Sequence, residues 1–287
     1  MQNDSILRIN QAIDYIYRHL DRNLTVEEIA AHCRFSKYYF GRIFKSITHQ
    51  SIYAFVKRVK LESAAFKLRS TRKPITEIGI EIGLTPSNFA SAFKEFFGMS
   101  PSEFRKTRRI PEKDTYRAVT DHLNSLKKQG NSYDAIHSRM FIRRIGPMNL
   151  EYQRFIGNYL QGLRREWESF RLEMSRKHIL DENTRFIGIS YDDPLIADEN
   201  RCIYDLCVGV DKISDINIHR IEAGTYACWE FFGAQENLIK AFNEIFAFWL
   251  PFCDYALDER LCLEVYRSGM DEQGRIHLDI CIPIQTI

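Results

Sequence analysis

ITEIGIEIGLTPSNFASAFKEFFGMSP, residues 75–101, sets its apolar residues in two groups. Ile75, Ile78, Ile82 and Leu84 come first, and Thr85-Pro86 interrupts them. Phe89, Phe93, Phe96 and Phe97 follow, ahead of Gly98-Met99-Ser100-Pro101. Spacings of three and four residues predict helices, and the short break predicts a tight turn between them. Two short helices across a tight turn outline a helix-turn-helix.

The outline occurs twice. Shifted by 49 positions, the stretch falls without a gap on residues beginning at Thr25-Val26-Glu27-Glu28. Glu28 lands on Glu77, Ile29 on Ile78, Phe40 on Phe89, Phe44 on Phe93 and Lys45 on Lys94. Ser51, Phe55 and Lys57 land on Ser100, Phe104 and Lys106. Agreement concentrated on helix-period positions and on the turn identifies a duplicated supersecondary unit. Thr25 with Glu28 reads as a capping box, and Ser36 and Thr85 stand where a hydroxyl caps the second helix of each unit. An amphipathic helix carrying Ile6, Ile9, Ile13 and Ile16 precedes the first copy, and residues 52–69 read as a longer helix bridging the two.

With these motifs, residues 5–109 resemble the DNA-binding domain of the AraC/XylS family of transcription regulators. I-x-x-I-G-x-x-I-G-L, F-x-x-x-F-K and F-F-G-M-S-P-S-E-F-R carry the likeness. It implies two recognition helices on a stiff connector, entering successive major grooves on one face of double-stranded DNA about 34 Å apart. The outward residues of the first helix are Lys37, Tyr38, Gly41 and Arg42; Arg42 suits a bidentate contact to guanine. In the second they are Ser87, Asn88 and Ser91, with Ser91 where many members carry Arg. Lys45, Lys94, Arg105 and Lys106 suit phosphate contacts. Arg34 departs from the pattern, standing where the family and the second unit (Gly83) have glycine. A positive φ there costs a side chain about 1 kcal/mol.

Charge divides along the same line. Residues 1–110 hold 19 Lys and Arg against 10 Asp and Glu, and the remainder 21 against 28. A basic first third suits a polyanionic partner. The 287 residues suffice for about two domains. No apolar run approaches the ~18 residues that span a bilayer, and no signal peptide is legible, because Asp4 and Arg8 interrupt the first apolar residues. The seven cysteines (33, 202, 207, 228, 253, 262 and 281) form no Cys-x-x-Cys pair. They read as buried free thiols in a reducing cytoplasm, without a metal or cofactor.

After Arg109 the pattern fades. Ile110-Pro111-Glu112-Lys113 is expected to end the first domain (1–110), and 111–139 to be a linker with an exposed loop at Lys127–Ser132 and some helix within Tyr116–Leu126. From 140 the period becomes two. Met140–Ile145, Phe186–Ser190, Cys202–Val210, Thr225–Phe232, Leu261–Arg267 and Ile276–Ile284 predict strands. Two helices stand among them, one with Leu163, Trp167, Phe170 and Met174, the other with Leu238, Phe242, Ile245, Phe246 and Trp249. A fainter echo at an offset of 76 places Phe155-x-Gly157 on Phe231-x-Gly233. The expected fold is therefore multidomain: an all-α double helix-turn-helix, then an α+β domain (140–287) of duplicated β-α-β-β units. Its antiparallel sheet is expected to carry both helices on one face and a trough on the other.

I-S-Y-D-D-P (189–194), Y-D-L-C-V, G-T-Y-A (224–227), W-L-P (249–251) and the closing L-E-V-Y and I-C-I-P-I make residues 140–284 similar to the GyrI-like effector-binding domain. The resemblance implies a site for a hydrophobic, often cationic small molecule, with Glu264 supplying the negative charge. Alternation along the strand turns Leu261, Leu263 and Val265 toward the helices and Cys262, Glu264 and Tyr266 into the trough. Trp229, Phe231, Tyr152 and Tyr204 are its candidate aromatic walls; each also reads as ordinary core. Glu230 is the rival carboxylate.

Together these features predict a cytoplasmic DNA-binding regulator with a small-molecule effector. The first resemblance implies an activator, with RNA polymerase as a further partner. One alternative makes the second domain a protein-interaction or sequestering module without a ligand. Another, a small-molecule hydrolase, lacks a legible nucleophile–base–orienter set.

Overall fold

Thr25 opens the first repeat unit by accepting a hydrogen bond from Glu28 N at 3.2 Å, and the chain then runs as two short helices, α2 (Val26–His32) and α3 (Lys37–Thr48). This is a computed structural model; it describes residues 2–107, 114–130, 132–177, 180–181, 183–211 and 217–286. Two compact units, Met1–Arg109 and Ile110–Ile287, divide the chain. The expected domain end at 110–113 lies outside the described residues.

In the first unit the 49-residue repeat is exact to the residue. α2 and α3 recur as α5 (Ile75–Glu81) and α6 (Pro86–Phe97), and α4 (Ile52–Ser70) and α7 (Pro101–Thr107) begin 49 positions apart. Both turns close the same way: Phe35 N bonds Ala30 O and Arg34 N bonds Ala31 O, matched by Leu84 N to Gly79 O and Gly83 N to Ile80 O. This double closure requires a left-handed residue just past the helix. Arg34 has φ 58° and Gly83 φ 70°. The next left-handed pair, His49 and Gly98, keeps the offset.

Ile29, Phe40 and Phe44 are buried with Ile9, Ile13 and Ile16 of α1 (Gln2–Arg18), and Ile78, Phe89 and Phe93 are buried in the second copy. Ile6 of α1 is exposed. Ser36, unlike Thr85, makes no side-chain cap. The connector α4 fastens the copies together. Lys60 Nζ donates to Arg22 O in the loop before α2 and to Ile82 O at the end of α5, at 2.8 Å each, so the buried ammonium is satisfied by one carbonyl from each copy.

In the second unit, residues expected as linker are helical. α8 (Arg117–Gln129) and α9 (Ser132–His137) occupy most of 114–137, and Lys127–Gln129 belong to α8 instead of a loop. Tyr116, Val119 and Leu123, three and four apart, are buried with Leu195 and Ile239. An apolar stripe that finds a partner stays helical.

The strands then follow as β1 (Met140–Ile145), β2 (Met148–Gly157), β3 (Phe186–Ser190), β4 (Cys202–Val210), β5 (Ile218–Ile221), β6 (Gly224–Ala234), β7 (Tyr255–Leu257), β8 (Leu263–Tyr266) and β9 (Arg275–Thr286). Helix α10 (Leu163–Arg176) falls between β2 and β3, and α11 (Gln235–Glu244) follows β6. Among the described residues the first half is thus two strands, a helix and two strands, and the second two strands, a helix and three, against the one strand, helix and two strands that the echo predicts for each. β2 escaped the alternation rule because Arg154, on one of its faces, is buried against Asp205 with nitrogen–oxygen distances of 2.8 and 2.7 Å.

Among the described residues the sheet is antiparallel in the order β1-β6-β9-β8-β3-β4-β2-β5, with β7 on β9. Laid flat, β1 and β2 would stand six strand spacings or about 29 Å apart. Only Gly146 and Pro147 join them, and three Cα steps span about 11 Å at most. The sheet must curl. Its inner face gathers Ile145 and Ile221 from the two edges with Leu150, Tyr152, Ile187, Cys207, Leu263 and Cys281. That core contains no helix residue, whereas α10 packs its Leu163, Trp167 and Phe170 on the outer face against Tyr204, Leu206 and Val208.

Arg34 supplies a test of the turn. Arg34→Gly relieves about 1–2 kcal/mol of left-handed strain and returns roughly 0.5–1 kcal/mol as unfolded-chain entropy. Urea unfolding of the first unit should therefore show a net gain near 0.5–1 kcal/mol; a loss would contradict the strain.

Candidate functional site

In the first unit the candidate DNA-contacting residues line two exposed helix faces. Lys37, Tyr38, Arg42 and Lys45 on α3 and Ser87, Asn88, Ser91 and Lys94 on α6 are exposed, and Gly41 is half-buried. Tyr38 is 89% exposed, so its ring presents apolar surface that nothing in the fold covers. Arg42 lies over the Tyr39 ring, 5.4 Å from its centroid, which orients the guanidinium. Lys37 forms an ion pair with Glu27 of α2. That partner holds the ammonium's pKa above its usual value and the carboxyl's below, and leaves Lys37 less available than its position suggests.

In the second unit the site is built by strand register. Glu264 pairs with Gly188 on one side and Ile280 on the other, and Ile280 pairs with Trp229. Directly paired residues share a face, so Glu264, Ile280 and Trp229 form one row, with Tyr266, Leu278 and Phe231 in the next. Tyr204 belongs to the same face, and its hydroxyl donates to Glu264 Oε2 at 2.6 Å. Tyr266 Oη stands 3.5 Å from that oxygen and 3.3 Å from Tyr204 Oη. Ser190 also bonds the carboxylate. Gly188 makes the arrangement possible: a Cβ there would meet Tyr204 Oη at 1.8 Å and Glu264 Oε2 at 2.9 Å.

Aromatic rings wall this carboxyl group. Trp167 lies 4.8 Å from Tyr266 and 6.2 Å from Tyr204 between centroids, and its buried Nε1 has no hydrogen-bond partner among the described residues. Arg171 lies 4.2 Å over Phe186 and 5.9 Å over Tyr266, so these ring faces already attract one cation. Glu264 itself is 3% exposed, and among the described residues no Lys, Arg or His pairs with it. Burial pushes its pKa up to about 7, against the hydrogen bonds from Tyr204, Tyr266 and Ser190 that lower it. Tyr204 is raised well above its usual value by the same burial.

The sequence-predicted residues divide accordingly. Glu264 and Tyr204 touch. Trp229 and Phe231 share their face, Trp229 two strands or about 10 Å from Glu264. Tyr152 does not join them: it pairs with Cys207, whose neighbour Leu206 shares the face of Glu264, so Tyr152 lies inside the curl, stacked on His219 at 4.1 Å. The expected faces of β8 are also exchanged, with Leu263 and Val265 inside and Glu264 and Tyr266 beneath α10. The alternation was right and the side was not, because period two does not say which face the helices cover. Glu230 is half exposed and pairs with Arg267 and His277. Sequence reasoning passed over Trp167 and Tyr266 as walls, although Tyr266, two residues after Glu264, carries the signal.

Models of known families match both units: a helix-turn-helix domain over residues 29–107 and the GyrI-like small molecule binding domain over 139–285. The chain is an AraC-type regulator with a GyrI-like domain. The regulatory protein SoxS of Salmonella typhimurium is 32% identical over 98 residues, 34% of this chain and 92% of SoxS. The Right origin-binding protein of Escherichia coli is 30% identical over 100 residues, 34% of this chain and 35% of that protein. The C-terminal domain of EcmrR, a solved structure, is 16% identical, with 52% of this chain and 98% of that one covered at a TM-score of 0.42. The regulator therefore joins a DNA-binding helix-turn-helix domain to a small-molecule-binding one. No helix among its described residues is long and apolar enough to cross a membrane.

Glu264 makes the second unit's stability depend on pH. Its folded pKa lies above the unfolded one, so the folded chain holds the proton more tightly. Stability is then greatest below about pH 4.5 and declines as pH rises through about 7. The full penalty is roughly 3 kcal/mol. Urea unfolding of Glu264→Gln at pH 5 and pH 8 should lose this slope, with the variant the more stable at pH 8; an unchanged slope would place the titration elsewhere.

Proposed function

We infer that this regulator is an activator, reading one face of double-stranded DNA with α3 and α6 and sensing a hydrophobic cation at Glu264. The observation that carries the reading is a buried carboxyl group with hydroxyl partners, aromatic walls and no countercharge among the described residues. A buried charge without a partner is costly. A lipophilic cation would supply the missing charge, restore the ionised form and take up cation–π contacts with Trp167 and Tyr266. Tyr204 and Ser190 would keep the carboxylate oriented, and Trp229 and Phe231 would extend the apolar wall. To regulate, the ligand must bind unequally to DNA-competent and incompetent states. The AraC/XylS resemblance supports activation through contact with RNA polymerase, and DNA reading supports a cytoplasmic location. The regulatory names of the relatives support a role other than catalysis.

Fluorescence of Trp167 and Trp229 should quench saturably with tetraphenylphosphonium, and Glu264→Gln should raise the dissociation constant about tenfold or more, the worth of ~1.4 kcal/mol. Silence toward a broad panel of lipophilic cations would favour a protein-interaction module instead. Turnover of an activated ester that depends on Glu264 would favour a hydrolase.

On DNA the two helices should separate base reading from phosphate contact. Arg42→Ala should lose ~1–3 kcal/mol of discrimination at one base pair. Lys94→Ala should weaken all sequences alike and reduce the salt slope by about 1. Equal weakening of every sequence by Arg42→Ala would overturn its assignment as a base reader.

A further inference from the structure

Cys228 of β6 and Cys281 of β9 are register partners whose Sγ atoms lie 3.2 Å apart. Their backbone geometry follows from the neighbouring residues. Pro283, two residues beyond Cys281, has no N–H, and its carbonyl accepts from Asp258 N. His277, four residues before Cys281, likewise turns its carbonyl away from β6, to Arg267 N. Residues 277, 279, 281 and 283 therefore point their backbone polar groups away from β6. Cys228 and Cys281 form a non-hydrogen-bonded pair, the kind in which Cα atoms approach to about 4.5 Å and side chains come closest. Disulfides span Cα separations of roughly 4.4–6.8 Å. The strands already stand at bonding distance.

We propose that Cys228 and Cys281 are a reversible dithiol–disulfide site, oxidised by small peroxides and restored by small thiols. Both sulfurs are buried, yet Arg143, 39% exposed, places Nη2 3.8 Å from Cys281 Sγ. The pair thus lies one guanidinium beneath water. When one thiol ionises, the other donates its S–H to the thiolate; this hydrogen bond lowers the pKa of Cys228 and raises that of Cys281, and Arg143 favours the charge on either. The thiolate is the reactive form.

Cys228 Sγ attacks one peroxide oxygen, the O–O bond breaks, and a sulfenic acid forms as the departing hydroxide takes up the thiol's proton to become water. Cys281 Sγ then attacks the Cys228 sulfur. The S–O bond breaks, and the leaving hydroxide takes the proton of Cys281 as a second water. Two thiols and one hydrogen peroxide give one disulfide and two waters; an alkyl hydroperoxide would release its alcohol in place of the first water. Two equivalents of a small thiol reverse the change by exchange. The bond would tie β6 to β9 immediately behind Trp229 and Ile280, which face Glu264's side of the same strands.

The test uses the folded full-length chain treated with hydrogen peroxide, alkylated in denaturant and digested for mass spectrometry. The expected product is a peptide pair joining residues 228 and 281, lighter by two hydrogens and released by dithiothreitol. Cys228→Ala and Cys281→Ala should each abolish it while melting cooperatively. The proposal fails if both thiols stay alkylatable at peroxide doses that oxidise the less buried Cys262. It also fails if the link forms only in unfolded chain, or if Cys228 pairs elsewhere.

Discussion

The continuous antiparallel register from β6 through β9, β8 and β3 to β4 decides which side chains of the second unit can meet. Because successive residues alternate between faces, that register sends Glu264, Tyr204 and Trp229 outward beneath the helices. It sends Cys228, Cys281 and Tyr152 inward. Shifting any one of these strands by a residue would exchange its faces, separating Glu264 from Tyr204 and the two thiols from each other. The carboxylate on β8 and the dithiol on β6 and β9 occupy opposite faces of the same sheet.

In the first unit the governing constraint is smaller and is used twice. Each helix-turn-helix needs one left-handed residue to close its double hydrogen bond, and 49 residues later the same bond recurs with the same partners. Gly83 meets the requirement without strain in φ. Arg34 meets it at a cost that the buried contacts of Phe40 and Phe44 outweigh. The ammonium of Lys60, bonded to carbonyls in both halves, makes the copies one body. Two reading helices held by one connector let a single chain present what a dimer of single units would otherwise assemble.

Much of the architecture was legible. The 49-residue repeat predicted α2 through α7, and the strands Met140–Ile145, Phe186–Ser190 and Cys202–Val210 follow alternation to the residue. The echo of Phe155-x-Gly157 in Phe231-x-Gly233 has a physical source: in both strands the phenylalanine ring folds over the glycine, where a Cβ would stand 2.8 and 3.3 Å from it. Illegible were the places where a side chain does the opposite of its type. Arg154 is buried, which hid β2. Tyr116, Val119 and Leu123 sit in a polar stretch that looks like a linker until Leu195 and Ile239 cover them. Trp167 reads as plain helix core because nothing in the chain says that it flanks a buried carboxyl group on a distant strand.

The sequence alone determined the duplicated helix-turn-helix, its turn geometry and the strand periods, because each is written in spacings of a few residues; Glu264 came to notice only through the GyrI-like resemblance, with Glu230 as its rival. Only tertiary structure decided which face of the sheet the helices cover, and hence that Glu264 is buried against Tyr204 and Trp167 while Tyr152 is not. It also decided that two cysteines 53 positions apart stand in contact. Local spacing fixes a side chain's phase along its own strand; the partner across the sheet is set by hydrogen bonds between segments far apart in the chain, which no local period encodes.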